Sequence, residues 1–262
     1  MSDAKILVEQ RGAVLLIAFN RPAKYNAFDV EMYHLLAAAY GRLDTDPALR
    51  CALVYGNGAH FTAGLELDQW AAPLSRGAWP ELGADERDPF GVTPGKRVGK
   101  PVVLALHGIC FTVAIELALA GDVRIASADS RFGQIEVRRG IYACGGATMR
   151  MVQEFGWGNA QRYLLTGDEF DASEALRIGL VQEVVPAGQH FERGLAMAER
   201  IAARAPLAVY ASLKSSRIAI EQGELAAAAR LLPDLMPLMK SQDVQEGVRS
   251  FIERREAQFK GL

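Results

Sequence analysis

Cysteine is scarce in this chain of 262 residues: there are three, Cys51, Cys110 and Cys144, and none shares a CxxC spacing. An odd, scattered set argues against a disulfide framework and against a zinc site, and favours reduced, partly buried thiols. An excess of one charge is missing too. The 29 Lys and Arg residues stand against 31 Asp and Glu, a formal net charge of −2. That balance indicates neither a broad nucleic-acid footprint nor a surface for anionic membranes, so any anion site must be local. Long hydrophobic runs are also absent from the N-terminus. MSDAKILVEQRGAVLLIAFNRP is apolar only in short runs broken by Lys5, Glu9, Gln10 and Arg11, which suits two strands and neither a signal peptide nor a membrane span. A cytoplasmic protein is the expectation. No internal repeat or low-complexity tract is present, and the four histidines form neither an HExxH nor a readable Ser-His-Asp arrangement.

What is there is ample apolar material, 50% of residues, enough for one large domain with or without a smaller appendage. Lys5 to Glu9 and Ala13 to Phe19 read as a strand pair around Gly12. CALVY, VVLAL and VRIA are further strands rich in β-branched residues. Between them, Asp29 to Leu43 has helical spacing with Asp29 as N-cap, and a second helix is expected from about Thr112 to Ala120. The alternation predicts an α/β core. From Gly145 onward helical patterns dominate, so the last third reads as an α-helical appendage. Ala71 to Lys100, with prolines at 73, 80, 89 and 94, reads as a long loop with one short helix, the kind of segment that forms lids or binding loops.

Two strand-to-helix turns could carry chemistry. YGNGAHFTAGLELDQW follows the strand CALVY and places Gly56, Gly58 and Gly64 ahead of a helix expected near Glu66. It fits neither a dinucleotide fingerprint, because position 61 is Phe, nor a P-loop, because no GK[ST] follows. The second turn follows VVLAL at His107-Gly108 and leads to a helix whose first N–H groups, near Thr112 and Val113, lack intrahelical partners. One N–H from each turn, meeting at one oxygen, would form an oxyanion hole. Glu116 lies one helical turn past Val113 and so shares its face. Glu136, in RFGQIEVRRG, follows another strand-like run. A single glutamate is ordinarily solvated or salt-bridged, but two, each beside a possible donor turn, weaken that reading. His34 and His190 are placed on surface helices and His60 in the first turn. His107, at a strand end, reads first as a satisfied core residue.

Six landmarks in order carry a resemblance: NRPAKYNAF at 20–28, GNGAHFTAGLEL at 56–67, KPVVLALHG at 100–108, E-L-A-x-A-x-D at 116–122, FGQIE at 132–136, and SFIERREAQFKG near the C-terminus. Together they resemble the crotonase superfamily, the enoyl-CoA hydratase/isomerase family, over nearly the full length. The resemblance implies an α/β fold with a crotonase-like ββα spiral core, residues 1–200, and a C-terminal α-helical trimerisation region, residues 201–262, giving a homotrimer or hexamer. It implies an acyl-CoA thioester substrate whose carbonyl is polarised by the backbone N–H groups of Leu65 and Val113. CoA contacts are implied near Ala23, Lys24, Ala27 and Ala63, and at Phe251 and Arg254, sometimes supplied by a neighbouring subunit. Coenzyme A is then part of the substrate, with no separate cofactor, no metal, no nucleic acid and no membrane.

Family members that hydrate enoyl-CoA carry two glutamates, which match Glu116 and Glu136. The implied activity is therefore an enoyl-CoA hydratase-like lyase. Double-bond isomerisation, thioester hydrolysis and a non-catalytic acyl-CoA-binding scaffold stand as alternatives. The chain departs from the family where Thr112-Val113-Ala114 replaces a glycine run and where Tyr142-Ala143-Cys144 replaces a segment with Pro and Gly. A backbone donor survives any non-proline substitution, but a requirement for positive φ at Val113 would distort the hole.

Overall fold

The computed structural model describes residues 4–262. β1 (Ile6–Arg11) and β2 (Val14–Phe19) form an antiparallel hairpin across Gly12, whose φ of +57° suits the tight reversal. α1 (Val30–Thr45) begins where expected, with the Asp29 side chain accepting from Met32 N–H. Then come β3 (Cys51–Gly56) and α2 (Leu67–Ser75), followed after a long irregular segment by β4 (Val102–Leu106), β5 (Ile109–Phe111) and α3 (Val113–Ala120). β6 (Val123–Ser127), β7 (Arg131–Gly133), α4 (Ala147–Phe155), α5 (Trp157–Thr166), β8 (Glu169–Asp171), α6 (Ala172–Arg177), β9 (Glu183–Val185) and α7 (His190–Ala202) complete the central body. α8 (Pro206–Gln222), α9 (Glu224–Ala228), α10 (Leu231–Leu238) and α11 (Gln242–Glu253) close the chain.

The main sheet runs β1-β2-β3-β4-β6-β9 and is parallel except for the β1-β2 pair; a smaller sheet runs β5-β7-β8. Successive side chains of a strand point to opposite faces, and β2 shows the result. Leu15, Ile17 and Phe19 enter the larger core with α1 and α3, whereas Val14 and Leu16 pack beneath α7 with Leu53, Val103 and Ala198. Burial on both faces accounts for the continuous apolar runs of β2, β3 and β4.

The helical region expected from Gly145 onward is interrupted by two short strands, β8 and β9, and β9 extends the main sheet beside β6. Each has three residues, too few to show an alternating pattern. His190 is likewise not a plain surface residue: its ring stacks on His107, centroids 4.1 Å apart and planes 15° apart, because α7 lies across the sheet. No helix among the described residues is long and apolar enough to cross a membrane.

Candidate active site

The two donor turns lie side by side. Thr62 bridges to Cys110: Thr62 N–H donates to Ile109 O at 3.2 Å, and Phe111 N–H to Thr62 O at 3.1 Å. Around the first turn, Ala63 N–H donates to Tyr25 O, Gly64 N–H to Thr62 Oγ1, and Phe28 N–H to Gly64 O. Leu65 N–H has no acceptor among the described residues. Around the second turn Thr112 N–H donates to Gly133 O, whereas Val113 is the first residue of α3 and its N–H is also without an acceptor. Orphan N–H groups at a helix start are ordinary, but Val113 is fully buried, and a buried donor ordinarily has a partner.

The positive φ feared for Val113 falls one residue earlier: Val113 is helical, while Thr112 has φ +49° and ψ −102°. Gly64, at φ +106°, faces it. A Cβ at Gly64 would lie 2.3 Å from Thr112 Oγ1, so the close approach of the turns requires glycine on one side.

Glu116 is 2% exposed on α3. Its Oε1 accepts from Gly145 N–H at 2.5 Å, and a Cβ at Gly145 would sit 2.6 Å from Oε2. Burial first, then the charge of Glu136, pushes its pKa up to about 8 against the main-chain donors Gly145 and Ala147. Glu136, 9% exposed, opens a 3₁₀ turn after β7. Gln134 Nε2 donates to its Oε1 at 2.7 Å, while its Oε2 is buried without a partner. Burial pushes Glu136 up to about 7. Two carboxyls poised near neutrality beside two unused N–H donors can exchange protons at a carbon next to a polarised carbonyl.

The other expected positions divide. Ala23 and Lys24 lie in a 3₁₀ turn, Pro22–Lys24, and Ala27 N–H donates to Lys24 O. This loop is tied to the first turn through Ala63 and through Glu66, which binds Arg21 at 2.7 Å and Lys24 at 2.8 Å and is held down at about 2 by them. Phe251 and Arg254, at the end of α11, make no hydrogen bond or ion pair with that loop among the described residues, and Phe251 is 84% exposed. His107 is taken up by its stack with His190 and by Nε2 to Gly58 O at 3.0 Å; burial lowers the pKa of both rings, that of His190 to about 4. No group of three or more His, Cys, Asp or Glu side chains among the described residues could hold a metal ion.

Two clefts open close by, and Glu136 lines one of them. One, about 220 Å³, is lined by Gln134, Glu136, Ala143 and Leu164. The other, about 460 Å³, is lined by Leu74, Trp79, Ile141 and half-buried Cys144. Tyr142 borders both.

The model of the enoyl-CoA hydratase/isomerase family matches residues 9–262. The chain belongs to that family. An enoyl-CoA hydratase of Mycobacterium tuberculosis is 33% identical over 258 residues, covering 98% of this chain and 97% of its own. The carnitinyl-CoA dehydratase of Proteus mirabilis is 34% identical over 257 residues, covering 96% of each chain. The crystal structure of a probable enoyl-CoA hydratase/isomerase from Mycobacterium abscessus superposes with a TM-score of 0.94 at 45% identity, covering 98% of this chain and 99% of that one. As a member of the enoyl-CoA hydratase/isomerase family the chain has a crotonase fold, and its glutamate pair sits among contacts the sequence did not single out. Gly145 N–H, Gln134 and the positive φ of Thr112 are the main ones. Gln134 lies inside the FGQIE landmark, so proximity to Glu136 was the available signal.

Proposed function

We propose that this chain adds water across the 2,3 double bond of a 2-enoyl-CoA to give a 3-hydroxyacyl-CoA. The observation that carries the reading is the pair of buried glutamates with raised proton affinity beside two N–H groups free of acceptors. The thioester oxygen takes the N–H groups of Leu65 and Val113. Water held between the carboxyls bonds through its oxygen to C3, and the π electrons move toward the thioester oxygen. Glu136 takes a proton from the water and delivers one to C2, while Glu116 orients the water. One water is consumed, and both carboxyls end as they began. Donors of this kind are each worth ~3 kcal/mol in the transition state, and acid/base groups roughly 10²–10⁴-fold in rate.

Coenzyme A enters as part of the substrate, with Ala23, Lys24, Ala27 and Ala63 as its contacts on this chain and no resident cofactor required. Exposed Leu232, Met236, Phe251 and Ile252 on α10 and α11 support assembly through the region from residue 201 onward into a trimer or hexamer, which would bring Phe251 and Arg254 to a neighbour's CoA. A cytoplasmic location fits the same reading. The cleft beside Trp79 and Ile141 supports an apolar acyl group. Incubation with crotonyl-CoA and longer 2-enoyl-CoAs should yield 3-hydroxyacyl-CoA. If the protein binds CoA and forms no such product at any chain length, hydration is wrong, and isomerase and thioesterase assays on the same samples decide between the remaining reactions.

A further inference from the structure

Thr112 is unusual in three ways at once. It is β-branched yet has a positive φ of +49°, where such residues are rare and where strain collects at functional sites. Its main chain is bonded to the elements that carry both glutamates. The N–H donates at 2.8 Å to Gly133 O, on the strand that leads to Gln134 and Glu136, and the carbonyl accepts from Ile115 N–H at 2.9 Å and Glu116 N–H at 3.2 Å. Its hydroxyl Oγ1 is buried with no hydrogen-bond partner.

The position of that hydroxyl gives it a use. Thr112 supplies the peptide unit whose N–H belongs to Val113. Its Oγ1 presses on Gly64, which supplies the peptide unit whose N–H belongs to Leu65. The O–H therefore lies at the contact between the two turns that lead to the free donors. Buried hydroxyls are ordinarily satisfied, and an unsatisfied one where two turns with free N–H groups meet calls for an acceptor rich in electrons. A neutral O–H suits an oxygen that gains charge only in the transition state, since it strengthens as charge grows and does not trap the ground state as a fixed cation would.

We infer that the Thr112 hydroxyl is a third donor to the thioester oxygen, closing on it together with the N–H groups of Leu65 and Val113. The inference rests on the acyl-CoA reading above. It assigns to this chain a side-chain contribution at a place where a glycine run would offer backbone alone.

Three variants separate the hydroxyl from the shape. Thr112→Val keeps the branching and removes the donor, Thr112→Ser keeps the donor, and Thr112→Gly removes the side chain while relaxing the positive φ, so it guards against a folding failure. Two readouts are taken: kcat with crotonyl-CoA, and the red shift in the absorption of bound cinnamoyl-CoA, which reports carbonyl polarisation without turnover. Thr112→Val and Thr112→Gly are expected to lower kcat on the order of 10²-fold and to shrink the red shift, with cinnamoyl-CoA affinity little changed; Thr112→Ser is expected to stay near the parent protein. A Thr112→Val protein with unchanged kcat and red shift overturns the proposal alone, as does an equal loss in Thr112→Val and Thr112→Ser. Absence of both hydration and red shift in the parent protein overturns the acyl-CoA reading, and this proposal with it.

Discussion

Glu116 and Glu136 are both buried carboxyls of the candidate site, but they are held in opposite ways. Glu116 projects from a regular helix, is almost wholly buried, and is gripped by the main chain at Gly145. Glu136 sits in a short 3₁₀ turn, is gripped by a side chain, Gln134, and keeps one oxygen without a partner. A main-chain grip fixes a group in place, whereas a buried carboxylate oxygen without a hydrogen-bond partner is free to take a proton. Under the proposed hydration, the difference assigns proton transfer to Glu136 and the positioning of water to Glu116.

Substitutions can break that division. The largest effect is expected from Glu136→Gln, which should lower kcat by about 10³–10⁴-fold while a calorimetric titration shows CoA binding largely intact; unchanged turnover would remove the two-glutamate mechanism. Glu116→Gln is expected to act more weakly, roughly 10²-fold on kcat. It should also change stability with pH. A carboxyl raised from an ordinary value of 4.5 to about 8 in the fold holds its proton more tightly when folded, so stability falls as pH rises from about 4.5 toward 8. Urea unfolding of Glu116→Gln across that window should show a shallower decline than the parent protein, and an identical decline would mean that Glu116 is not the buried acid.

A smaller effect sharpens the pair. With Glu136 near 7 and Glu116 near 8, the form with Glu136 ionised and Glu116 protonated is most abundant between those values, and kcat/KM should peak there and fall on both sides. Gln134→Leu removes the bond that favours the ionised Glu136. Its acid limb should therefore move to higher pH, with kcat reduced by roughly tenfold or less. An acid limb that stays in place would assign it to another group.

Much of this was legible beforehand because it depends on neighbours in sequence. The strands from Ile6 to Val103 show in their β-branched runs, Asp29 shows as a cap, and Glu116 follows Val113 by one helical turn. What stayed hidden depends on distant residues. The grip of Gly145 on Glu116 spans 29 positions, the stack of His190 on His107 joins rings from distant parts of the chain, and three-residue strands such as β9 have no period to read. Thr112 is the sharpest case: local propensity places no β-branched residue at positive φ, and only the packing of the two turns holds it there.

The three thiols stand in unequal positions. Cys51 and Cys110 are sealed in the interior, whereas Cys144 lines the larger cleft next to both acids. A small alkylating reagent should therefore find a single target, and slowly, since burial and the neighbouring carboxyls push that thiol up to about 11. An acyl group seated in the cleft would screen it. The chain thus carries its own occupancy gauge, one that works in variants too slow to be followed by product.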